Sequence, residues 1–153
     1  MASTLAIPNG SHSLRHLPIL PVDVWVDAST SVGIDILVDS HWAAWLLVNW
    51  WDSEGQNIGW VEAVAIELAV MWLTHSGFHN ACLKIKCNNT SVISSFWKGH
   101  SRNPARNDCI LRPSSSLATA NLTIKPSYVQ STLNKADDLS RGILGTHDSR
   151  LCP

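Results

Sequence analysis

Three short β-type runs separated only by turns, followed by a long helix that is apolar nearly all round, limit the fold of this chain more than any other feature. Val22 to Asp27 alternates β-branched residues with others and ends in a carboxylate, the pattern of a strand that presents Asp27 at its C-terminal end. Ala28 to Gly33 is turn-like. Ile34 to Val38 reads as a second strand, Asp39-Ser40 as a turn and Trp42 to Val48 as a third strand. Connections this short make neighbouring strands antiparallel. From Trp60 to His75 the period becomes helical, with Val61, Val64, Ile66, Leu68, Val70, Met71 and Leu73 spread around the axis, so this helix is expected to be buried on most sides. Gly77 supplies its stop.

The second half alternates. Cys82 to Cys87 is a fourth strand, with Leu83, Ile85 and Cys87 on one face and Lys84 and Lys86 on the other. Ser91 to Lys98 is a short helix, and Asn107 to Leu111 a helical fragment interrupted by Pro113 and three serines. Leu122 to Val129 is a fifth strand, broken by Pro126. The order predicts an α/β fold: a mixed five-stranded sheet, three antiparallel strands and then parallel ones, flanked by helices.

At 153 residues the chain has room for one domain, expected over 21–145, after a poorly ordered segment at 1–20 and before a tail at 146–153. Hydrophobic residues at 45% and charged residues at 15% exclude an intrinsically disordered chain. The formal net charge of −1 gives no global attraction to nucleic acid, so any such binding has to come from a local basic patch. The four cysteines form no zinc-ribbon spacing, and the N-terminal residues show no signal-peptide pattern. Free thiols in a reducing, intracellular compartment, nuclear or cytoplasmic and not secreted, are the expectation. No run approaches the ~20 apolar residues needed to span a bilayer.

Acidic and amide side chains fall at the ends and faces of these elements. Asp27 closes the first strand, Glu67 lies in the long helix, Asn88-Asn89 ends the fourth strand, and Asp137-Asp138 opens the C-terminal segment. Groups so placed can converge at the centre of a sheet. Hard divalent cations take oxygen ligands, and a pair of them ~4 Å apart clamps the attacking and leaving oxygens of a phosphodiester. Each residue also has a plainer reading. Asp27 can cap a turn and Asp137 can start a helix, but Glu67 on an apolar helix needs a partner. His75, His79, Cys82 and Cys87 offer a zinc alternative, which strand alternation opposes by putting Cys82 and Cys87 on opposite faces.

Six segments, in order, carry a resemblance: Val24 to Thr30, Trp42 to Trp45, Gly59 to Leu68, Cys87 to Thr90, Lys98 to Asn103 and Asn134 to Gly142. Together they resemble the RNase H-type domain of fungal reverse transcriptases, especially those of DIRS-type retroelements, over about Pro21 to Gly142. The resemblance implies an RNase H-like fold, Mg²⁺ or Mn²⁺ as cofactor and cleavage of RNA–DNA hybrid, with a polymerase domain in a longer parent protein. It assigns Asp27, Glu67 and Asp137 as metal ligands and catalytic carboxylates. It places Asn88 where the family has aspartate. An amide is a poor substitute for a bridging carboxylate, so metal binding is expected to be weak and catalysis impaired. Asp35 also departs from the family, which has glycine or an apolar residue at that strand position. Ser29, two residues after Asp27, argues against a proofreading-type exonuclease, and Glu67 in second place argues against an integrase-type site.

Lys98, His100, Arg102 and Arg106 form the candidate nucleic-acid-binding patch, with Lys84, Lys86 and Arg112 nearby. The Trp-rich meander is expected in the core, and Trp50-Trp51 as an exposed pair that marks an interface. Three readings compete: a metal-dependent nuclease, a non-catalytic nucleic-acid-binding or interaction domain, and a retroelement relic with no selected activity.

Overall fold

The structure, a computed structural model, describes residues 17–141 and 149–150. The three-strand meander is β1 (Val24–Ala28), β2 (Gly33–Val38) and β3 (His41–Leu46). It pairs antiparallel throughout, with Asp27 opposite Asp35 and Ile36 opposite Ala43. A Cβ on Gly33 would overlap the backbone of Trp45, so only glycine lets β2 begin this close to β3.

Helix α1 (Ile58–His75) follows, its start set by Asn57, whose Oδ1 accepts the Trp60 N–H at 3.2 Å. Gly77 then turns the chain at a positive φ of 85°. Strand β4 (Ala81–Cys87) pairs parallel with β1, and β5 (Leu122–Tyr128) parallel with β4. The sheet order is β5-β4-β1-β2-β3-β6, in which β6 (Ser149–Arg150) adds two residues parallel to β3. The expected five strands and their directions are therefore present, with β1 central.

Strand alternation divides the sheet into two faces. Val24, Val26, Ile34, Ile36, Val38, Leu83 and Ile85 face the main core with Val61, Ile66, Val70 and Leu73 of α1. By length and composition α1 would pass as a membrane span, but it packs against β1 and β2 and is the core helix of this fold. On the other face Trp25 and Leu37 pack with Ala136 and Leu139, which brings the short helix α5 (Asp137–Ser140) against β1 and β2.

Expectations around two prolines are corrected. Pro126 does not break β5, because β5 is an edge strand and needs no donor on its outer side. Pro113 does separate two helices as expected, but the serines after it are themselves helical. It follows α3 (Pro104–Leu111) and stands at the N-terminus of α4 (Ser114–Ala120), where a missing N–H costs nothing. Helix α2 (Thr90–Lys98) lies between β4 and α3. Residues 1–16 of the expected lead-in fall outside the described residues. Its last part is tied to the sheet: the Cys82 N–H donates to the Pro18 carbonyl at 2.9 Å, and the Leu20 N–H to the Cys82 carbonyl at 3.0 Å. Most of the expected tail, 146–153, also lies outside the described residues.

Candidate functional site

Asp27 sits at the end of the central strand, buried, on the face that α5 covers. Asp35 is its direct partner across β2. On the other side β4 runs parallel to β1 with Trp25 beside Lys86, and that register, continued one residue past the end of β4 at Cys87, would set Asn88 alongside Asp27. Lys86 Nζ lies 4.0 Å from the centre of the Trp25 ring, which fixes Lys86, and by alternation Asn88, to the Asp27 face. Asp35 and Asp27 are thus paired across β2 and β1, and Asn88, the residue after β4, extends the row.

The segment carrying Asp137 is anchored to the same strand. Buried Asn134 donates Nδ2–H to the Val26 carbonyl at 2.9 Å and accepts the Ala136 N–H at 3.1 Å. Lys135 Nζ and Lys86 Nζ both reach Asp23 at 2.8 Å, so one carboxylate joins β1, β4 and the segment before α5. Burial acts to raise the Asp23 pKa, but the two lysines outweigh it and hold the carboxyl at about 2. Asp137 itself receives Arg141 at 2.9 and 3.2 Å. Arg141 is also close enough to Asp27 for that charge to help hold it cationic, after the larger effect of Asp137.

The helix glutamate needs correction. Glu67 is taken by Arg112 in a two-armed ion pair, 2.6 and 2.7 Å, beside the Cys109 thiol. The carboxylate that acts on the Asp27 site is Glu62, buried one turn from the helix start. Burial raises the Glu62 pKa to about 7, with Asp27 adding to the rise while the Asn89 hydrogen bond and the Arg106 charge oppose it. Glu62 and Asp27 together help burial push the neighbouring Cys87 thiol up to about 12. Glu67 is five residues further along, about 7.5 Å on and roughly 140° round the helix. Its charge acts on Cys109 instead. Asn89, which the sequence pattern passed over, holds the Glu62 carboxylate through Nδ2 and caps α2 by accepting the Val92 N–H at 3.1 Å.

Burial pushes the Asp35 carboxyl up to about 8, and the Asp27 charge adds to it. Among the described residues its buried Oδ2 has no hydrogen-bond partner, nor has the buried Oδ1 of Asn88, whose Nδ2–H reaches Ser131 Oγ at 3.1 Å. Two unsatisfied buried oxygens flanking a carboxylate fit a hard divalent cation in donor chemistry. Among the described residues, no three His, Cys, Asp or Glu side chains are grouped closely enough to hold an ion. The fit is to a cation held by one or two carboxylates and completed by water, as Mg²⁺ often is, and not to a closed cage.

The expected basic patch is smaller than its sequence. Lys98, His100 and Arg102 are exposed around the C-terminus of α2 and the loop after it. Arg106 turns inward, donating to Ser91 Oγ at 2.9 Å, and its guanidinium fills the space above Gly59. Lys86 and Arg112 are committed to Asp23 and Glu67. Trp50 is exposed as expected, but Trp51 stacks on Trp60, with centroids 6.5 Å apart and planes 3° from parallel.

The fold is RNase H-like: a mixed sheet with an acidic residue closing its central strand and helices on both faces. Its architecture is similar to that of RNase H1 from the halophilic archaeon Halobacterium salinarum NRC-1, with a TM-score of 0.59 over 80% of this chain and 96% of that one, at 14% sequence identity. No protein-family model matches the sequence, and no curated protein matches it.

Proposed function

We propose that this chain is an RNase H-type nucleic-acid-processing domain of retroelement origin, derived from a DIRS-type reverse transcriptase, whose hydrolysis of RNA–DNA hybrid is impaired at Asn88. The observation that carries the reading is the position of Asp27: on the central strand of an RNase H-like sheet, two residues beyond the last β1–β4 pair and on the face that the helix of Asp137 covers. Asp27 is the residue that would hold Mg²⁺ or Mn²⁺ directly, with Glu62, in the place first given to Glu67, and Asp137 acting on the ion's water shell. The cation supplies polarisation of the phosphate and activation of a water molecule. The chain's own part is to position. Asn134 fixes the Asp137 segment against β1, and Asn89 aims Glu62. Lys98, His100 and Arg102 offer charge and hydrogen bonds to the phosphate backbone.

An amide at position 88 leaves the Asp27 site one negative charge short. Wild-type protein is therefore expected to cleave an RNA–DNA hybrid little or not at all in Mg²⁺ or Mn²⁺, and Asn88→Asp to recover cleavage. Robust wild-type cleavage that Asp27→Asn leaves unchanged would overturn the assignment. The alternative, a non-catalytic nucleic-acid-binding domain, is favoured by the absence of a three-ligand group among the described residues. Hybrid binding without cleavage by Asn88→Asp would select it.

A further inference from the structure

Asp35 is the most anomalous side chain in the sheet. It lies in the middle of β2, is 1% exposed, and its Oδ2 has no hydrogen-bond partner among the described residues. A buried carboxyl without a partner costs free energy in any protonation state. The side chain faces the same way as Asp27, its direct cross-strand partner, at a Cβ separation of roughly 5 Å. Asn88, at the other end of the row, carries an oxygen that is also buried and has no partner among the described residues.

We propose that Asp35 is a divalent-cation ligand that replaces the carboxylate missing at Asn88. The negative charge has moved across Asp27, from its β4 neighbour to its β2 neighbour. One cation held between Asp27 and Asp35, with water and the Asn88 amide oxygen completing its shell, satisfies the partnerless oxygens together. Arg141, exposed and paired with Asp137, lies within electrostatic reach of Asp27 and competes with the cation there. This inference rests on the proposed RNase H-type site and changes which residues complete it.

The test is Mn²⁺ binding to the full chain, followed by the loss of the free-Mn²⁺ electron paramagnetic resonance signal. Asp35→Asn is expected to weaken binding at least tenfold, and Asp27→Asn to abolish it. The double variant Asp35→Asn with Asn88→Asp is expected to return to within about threefold of wild type. A thermal melt in chelator checks that each variant folds, and Mn²⁺ should raise the melting temperature of wild type more than that of Asp35→Asn. Unchanged affinity in Asp35→Asn, or no Mn²⁺ binding by wild type, overturns the inference. If Asp35→Asn is silent while Asp27→Asn abolishes binding, the proposed site stands and only the role of Asp35 falls. If both are silent, the two fall together.

Discussion

Replacing Asp35 with asparagine should flatten the pH dependence of stability in metal-free protein. The native Asp35 carboxyl titrates at about 8, against 3.8 for the free side chain, because burial and the facing Asp27 both resist its ionisation. Between those values the folded state keeps a proton that the unfolded state has released. Stability is then full below about pH 4 and falls as pH rises towards 8. Each pH unit in that window costs up to about 1.4 kcal/mol, so Asp35 alone should remove about 2–3 kcal/mol between pH 5 and pH 7. Glu62, raised from 4.5 to about 7, adds a loss of the same sign in wild type and variant alike, so it cancels in the comparison. Asp23, held at about 2, gives the opposite slope, but only at more acid pH. The proton belongs to the Asp27–Asp35 pair, and Asp35→Asn removes one of its two carboxyls. Urea unfolding in chelator at pH 5, 6, 7 and 8 should show the variant gaining on wild type by about 3–4 kcal/mol across the series. Parallel curves for the two proteins would refute the reasoning, because they would mean that Asp35 ionises in the native state as it does in the unfolded chain.

Three further outcomes are expected. Arg112→Met should destabilise the fold by about 1–3 kcal/mol in urea unfolding, below the cost of breaking a fully buried pair because the Arg112 side chain is 55% exposed. Glu67→Gln should leave Mn²⁺ affinity within twofold, and a tenfold loss would return Glu67 to the metal site. Lys98→Ala and Arg102→Ala should each weaken RNA–DNA hybrid binding and lower the magnitude of the log K against log salt slope by about 1, read by fluorescence anisotropy, whereas an unchanged slope would remove these residues from the phosphate contacts.

The fold was legible because it rests on patterns that survive without homologues. Alternation in β1 and β2, short turns between them, and the switch to helical period at α1 each follow from local chemistry. What escaped depends on neighbours in space. Pro126 is harmless only because β5 ends the sheet, and that position is invisible in its own residues. The site divides in the same way. Asp27, Asn88 and Asp137 are tied to element ends, where the sequence says which way the chain enters the sheet. Glu62 and Glu67 share one helix, and only the packing of α1 on β1 and α3 decides which of them meets Asp27. One signal did separate them: Asn57 caps the helix, which puts Glu62 in its second turn, near the strand end that carries Asp27, while Glu67 lies near the middle. An acidic residue deep in an apolar helix attracts attention because its burial has to be compensated, but the compensation can come from an arginine elsewhere in the fold, here Arg112. A buried carboxylate is a better candidate ligand when its nearest neighbours are other acids than when a guanidinium already holds it. By that criterion Glu62 and Asp35 stand with Asp27, and Glu67 does not.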